Sequence, residues 1–171
     1  MSTEKTKVTI QLPPEAAAKI KSNPGDFIAY MKKEGLEVES IQFTASPQIK
    51  TSYYQSKRLD PTKQFLVQTS IGDPRWGARP EWETEHITPR PEVLALADKG
   101  ETAYTRAYVA QLESIGVEAI RAELEQLKAE AKGREIVLCC FEALKKPGQF
   151  CHRRIFAWWW HTKTGETIAE L

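Results

Sequence analysis

The segment "CCFEALKKPGQFCHRR" (139–154) holds all three cysteines of a 171-residue chain, and the third runs straight into a histidine and two arginines. Thiol, imidazole, carboxylate and guanidinium within sixteen positions are the materials of nucleophilic catalysis, anion binding or metal ligation. Cys139 and Cys140 end an apolar run, so as strand neighbours they point to opposite faces and one of them packs in the core. Glu142 lies just past the strand end. Cys151 opens a helix, where the positive end of the helix dipole and Arg153 or Arg154 favour its thiolate. The same helix end suits a bound phosphate or carboxylate. The alternative is a buried, inert Cys151 beside an exposed His152.

Zinc is weighed separately. Cys140, Cys151, His152 and His161 could supply four ligands on paper. There is no C-x-x-C pair, however, and adjacent Cys151 and His152 on a helix diverge by about 100 degrees. The spacing therefore argues against a metal, and no cofactor is expected. A Cys–His nucleophilic pair meets the same divergence, so His86 or a nearby carboxylate would have to assist.

A second polar stretch, from Gly72 to Pro91, is a long loop holding Arg75 and Trp76. Guanidinium and indole together suit a planar, anionic ligand. A tryptophan that merely anchors a surface loop is the bland alternative.

These groups need a scaffold. "QIKTSYY", "QFLVQTSIG" and "REIVLCCFE" predict strands, the last a continuous apolar run buried on both faces. "RPEVLALADKG", "ETAYTRAYVAQLESIG", "VEAIRAELEQLKAEAKG" and "CHRRIFAWWWHTKTG" predict helices. In the third, Val117, Ile120, Leu124, Leu127 and Ala131 form one stripe. In the last, Ile155, Phe156 and Trp159 share the core face, leaving Trp158 or Trp160 partly exposed. The alternation predicts an α/β, Rossmann-like domain over residues 46–171, with a mostly parallel sheet covered on both faces and flanked by helices. Ligands of such sheets sit beyond the carboxyl ends of the strands. A small α+β extension occupies residues 1–45: alternating strands "KVTIQL" and "LEVESIQF", with short helices expected in "PPEAAAKIK" and "NPGDFIAYMKKEG" between them.

Several segments, in order, resemble the bacterial and phage family catalogued as domain of unknown function 488: "TSYY", "SIGDPRW", "ITPRPEVL", "YTRAYVAQL", "IVLCCFE" and "FCHRRIFAWW". The resemblance runs from about Ile49 to Trp160, and its most specific part is the pair "LCCFE" and "FCHRR". It implies a Rossmann-like domain and a shared polar site at Ser52, Ser70, Pro74, Arg75, Trp76, Cys140, Glu142, Cys151, His152 and Arg153. The family carries a single cysteine where this chain has two, and Cys140 is the one in register.

Bulk properties narrow the function. A formal net charge of +1 gives no whole-chain attraction for nucleic acid or anionic membrane. No apolar run approaches the roughly 20 residues of a membrane span, and the polar "MSTEKTK" lacks a signal-peptide core. A cytoplasmic protein is expected, and an odd cysteine count fits a reducing compartment. The site residues favour a protein that binds, and as an enzyme acts on, a small anionic or nucleotide-like ligand. Cys151, His152 and Glu142 would be its catalytic groups, and Ser52, Ser70, Arg75, Trp76, Cys140 and Arg153 its binding groups. A non-catalytic nucleic-acid- or protein-binding module, or a homodimer built on an exposed tryptophan, is the alternative.

Overall fold

The computed structural model describes residues 6–12, 38–45, 48–145 and 148–171. The chain divides into two compact units, Met1–Ser46 and Pro47–Leu171. In the first, β1 (Thr6–Leu12) and β2 (Val38–Ala45) pair in parallel, with Val8 opposite Ile41 and Ile10 opposite Phe43. The two helices expected between them lie outside the described residues.

The second unit holds a five-stranded, all-parallel sheet. Its strands are β3 (Ile49–Tyr53), β4 (Gln64–Gln68), β5 (Trp82–Glu83), β6 (Glu135–Cys140) and β7 (Ala169–Glu170), in the spatial order β5-β4-β6-β3-β7. Four helices accompany it: α1 (Pro91–Leu94), α2 (Glu101–Ile115), α3 (Val117–Glu130) and α4 (His152–Thr164). This is the α/β, Rossmann-like class that the sequence predicts. Strands β5 and β7, two residues each, were not expected.

All four helices pack on one face. Ile136 and Leu138 of β6, with Phe65 and Val67 of β4, meet Val93, Tyr108, Leu112, Leu124 and Phe156 in the main core. The opposite face carries a smaller cluster of Tyr54, Leu66, Val137 and Cys139, against which Leu59, Ala78 and Leu171 pack. Both faces are thus covered, but loops rather than helices cover the second. Topology explains the asymmetry. The links β3→β4 and β4→β5 step one way along the sheet, and β5→β6 and β6→β7 step the other way. Crossovers in parallel sheets are right-handed, so steps in opposite directions must lie on opposite faces. Both helical links step the same way.

Each of the three long helices shows a buried stripe. On α2 it is Tyr104, Tyr108, Gln111 and Leu112, and on α3 it is Ile120, Leu124 and Leu127. On α4, Ile155, Phe156, Trp159 and Trp160 are buried, while Trp158 is 59 % exposed. A left-handed Gly165 closes α4, its N–H bonding the carbonyl of His161.

Candidate functional site

Strand β6 lies between β4 and β3, and its exit crosses the helical face while theirs cross the other. Its carboxyl end is therefore flanked on both sides by reversals of crossover direction, where open sheets leave a crevice. Cys139 and Cys140 end this strand. Cys139 turns to the smaller cluster, where burial pushes its thiol up to about 12. Cys140 turns to the helical face.

There Cys140 meets the start of α4. Cys151 is the residue before the first helical turn, with extended dihedrals of φ −153 and ψ 141. The divergence expected for two neighbours on a helix does not apply, because only His152 is in the helix. Cys140 Sγ lies 3.1 Å from Cys151 Sγ, and His152 Nδ1 lies 3.6 and 3.7 Å from the two sulfurs. Glu142 Oε2 approaches both thiols, at 2.5 Å from Cys140 and 3.1 Å from Cys151. One ligand atom from each of these four residues lies within 4.8 Å of the others. His161 stands elsewhere, exposed on α4 near Thr167.

The surroundings hold these groups in place. Thr69 Oγ1 donates its single proton to the main-chain oxygen of Cys139 at 2.9 Å, so it can only accept from His152 Nε2 at 3.1 Å. The Nε2 proton is thereby donated to Thr69, and Nδ1 is the ring nitrogen that faces the sulfurs. Arg153 donates to the main-chain oxygen of Glu142 at 2.6 Å and to Cys151 Sγ at 3.3 Å. Its other edge is held by Glu170 of β7, at 2.8 and 3.2 Å.

The hydrogen bond to Cys151 and then burial push the Cys140 thiol far up. That same bond, with help from His152, brings Cys151 down against its burial. Burial raises the Glu142 carboxyl, but its bonds from the two thiols and the nearby imidazole outweigh this and hold it low. Burial alone would lower the Arg153 guanidinium, yet Glu170 keeps it above its ordinary range.

The four groups open onto a cavity of about 300 Å³. Ile71, Leu94, Tyr104, Phe141 and Phe150 give it apolar walls, and Ser70 and Gln149 join the cluster as polar lining. Tyr104 and Phe150 stand with ring centroids 5.3 Å apart. Beside it a second hollow is lined by Tyr54, Gln55, Asp73, Arg75 and Trp76, and Phe141 borders both.

Of the residues singled out in the sequence, Cys140, Glu142, Cys151, His152 and Ser70 come together at the first cavity. Arg75 and Trp76 share the neighbouring hollow, with Trp76 73 % exposed rather than anchored in the core. Two placements correct the expectation. Arg153 is 1 % exposed and lines neither hollow, since Glu170 and the Glu142 carbonyl occupy its guanidinium. Ser52 pairs in register with Cys139 on the smaller-cluster face, and its buried hydroxyl has no hydrogen-bond partner in the described structure. His86 is also remote, held by Glu123 of α3. Sequence reasoning missed Thr69, Glu170, Tyr104 and Phe150. Phe150 immediately precedes Cys151 in the motif and Tyr104 belongs to the helical stripe of α2, whereas Thr69 and Glu170 carry no such signal.

Compared with family models, curated proteins and solved structures, the chain matches none. No helix among the described residues is long and apolar enough to cross a membrane.

Proposed function

We propose that residues 47–171 form a catalytic, ligand-handling module that seats the ring of a small nucleotide-like molecule in the cavity at the end of β6. Cys151, His152 and Glu142 meet the ring, and Arg75 takes an anionic substituent. One observation carries this: a ring-sized, aromatic-walled cavity of about 300 Å³ opens directly onto a cluster of thiol, imidazole and carboxylate. Small-molecule sites combine such apolar walls with a few convergent polar groups. The shared border at Phe141 lets one ligand reach from the cavity to Arg75. Membership of the family catalogued as domain of unknown function 488 is proposed on the sequence resemblance alone. A non-catalytic nucleic-acid binder draws less support, because Asp73 sits beside Arg75 and the net charge is +1.

Calorimetric titration with matched nucleosides and nucleoside monophosphates tests the reading. The monophosphate should bind more tightly, and Arg75→Ala should cost it about tenfold or more, the worth of a hydrogen bond to a charged group. Phe150→Ala should weaken both ligands, and Cys151→Ser should abolish turnover of whichever binds. If neither ligand class binds, or Arg75→Ala leaves the monophosphate unchanged, the assignment fails.

A further inference from the structure

We infer that Cys140, Cys151 and His152 bind a borderline-soft divalent cation of the zinc class, with Glu142 in a fourth position that opens on the cavity. Four electron-pair donors converge here: two sulfurs, an imidazole nitrogen and a carboxylate oxygen. They come from three places in the chain, the end of β6, the loop after it and the start of α4, and they meet because Cys151 is extended.

The sulfur–nitrogen distances fit the assignment. Zinc holds sulfur at about 2.3 Å and imidazole nitrogen at about 2.0–2.1 Å, so tetrahedral ligation separates sulfur from nitrogen by about 3.6 Å. The two observed separations are 3.6 and 3.7 Å. Tetrahedral sulfurs stand about 3.8 Å apart, so on binding the pair must open from 3.1 Å and Glu142 Oε2 must draw back from its 2.5 and 3.1 Å contacts with the sulfurs. Glu142 belongs to an exposed loop position and can swing to its own place.

A second observation, independent of the cluster, is the clamp on the imidazole. Metal-binding histidines give their other ring N–H to a fixed acceptor, which sets the tautomer and aims the lone pair. Thr69 does this for His152, because its own proton is committed to the Cys139 carbonyl. Arg153, anchored by Glu170, steadies Cys151 and the Glu142 backbone in the same way. The three inner donors are buried, at 1 %, 4 % and 5 % exposure for Cys140, Cys151 and His152. With Glu142 bound the ion has four protein ligands, the tetrahedral complement of a structural zinc site, and the exposed Glu142 is the ligand on the cavity side. In this arrangement both thiols bind as thiolates, their protons pass to solvent, and no oxidation occurs.

The test uses the full chain, reduced with a non-thiol phosphine and freed of metal by a chelator. Cobalt(II) is then added as the spectroscopic probe. Uptake of about one ion per chain is expected, with thiolate-to-cobalt charge-transfer bands in the near ultraviolet and tetrahedral d–d bands in the visible. Cys151→Ser and His152→Ala should each weaken uptake at least about tenfold, and Thr69→Val, which removes only the clamp, about 10- to 100-fold. Glu142→Gln should keep the stoichiometry and shift the visible bands. Circular dichroism of each variant separates lost ligation from lost folding. The inference is overturned by a reduced chain that takes up no cobalt, by bands lacking thiolate character, or by folded Cys151→Ser and His152→Ala variants that bind like the parent. Cobalt uptake is read without any organic ligand, so failure here and failure of the nucleotide assignment are distinguishable.

Discussion

Arg153 shows how a residue chosen for ligand chemistry can serve the site from behind. Its guanidinium is 1 % exposed, whereas the Glu170 side chain that pairs with it is 42 % exposed. The two halves of the pair are therefore unequal. Glu170→Ala leaves a buried cation without its counter-ion, and stranding a buried charge costs about 3 kcal/mol. The urea midpoint of Glu170→Ala should fall accordingly, and Cys151 and the Glu142 main chain should lose their fixed positions with it. Removing the surface pair Lys63–Asp60, whose side chains are 82 % and 40 % exposed, should leave the midpoint unchanged. Equal midpoints for the two variants would show that Glu170 does not hold Arg153. The motif itself told which residue types would gather: Cys140, Glu142, Cys151 and His152 were legible as a group. It could not tell that Arg153 turns inward, because the partner that draws it in belongs to a two-residue strand with no periodicity to read.

At the scale of elements, the helices and the strands of five residues or more were legible, and the two-residue strands β5 and β7 were not. The stripe Ile120, Leu124, Leu127 fixes α3, and the unbroken apolar run fixes β6 as the central strand. The divergence argument against a metal failed on one dihedral pair, since it placed Cys151 inside α4 when the residue is extended just before it. Periodicity says where a helix runs, but the conformation of the residue at its edge depends on the loop that feeds it. The one-sided packing of helices has a similar origin, since the β3→β4 link runs through residues 54–63 with no helix. The loop layer on that face has its own fixed point at Gly77. Its φ is +97, and a Cβ there would run into the carbonyl oxygen of Tyr54, which already accepts the N–H of Ala78. Gly77→Ala should therefore destabilise the domain by at least about 2 kcal/mol, from backbone strain and the clash together. A chemical-denaturation curve checks this, and an unchanged midpoint would mean that the loop relaxes freely. Because Arg75 and Trp76 immediately precede Gly77, nucleotide affinity should fall in the same variant.

For the whole molecule, the question is what residues 47–171 can do without the first unit. Among the described residues, both hydrophobic clusters, the five-stranded sheet and the bonds described at the site lie within them. A domain of that length buries most of the apolar surface it needs to fold alone. The excised fragment should unfold in one cooperative transition and take up cobalt with the affinity of the full chain. Linkage makes the comparison quantitative. An ion that binds only the folded state adds RT ln(1 + [L]/Kd), about 4 kcal/mol at a thousandfold excess over Kd. If the site is complete within residues 47–171, saturating ion should raise the unfolding free energy of fragment and full chain by the same increment. A smaller increment in the fragment would mean that residues 1–46 bear on the site. An increment of zero in both, with folding intact, would count against the metal and leave the cavity to its organic ligand alone.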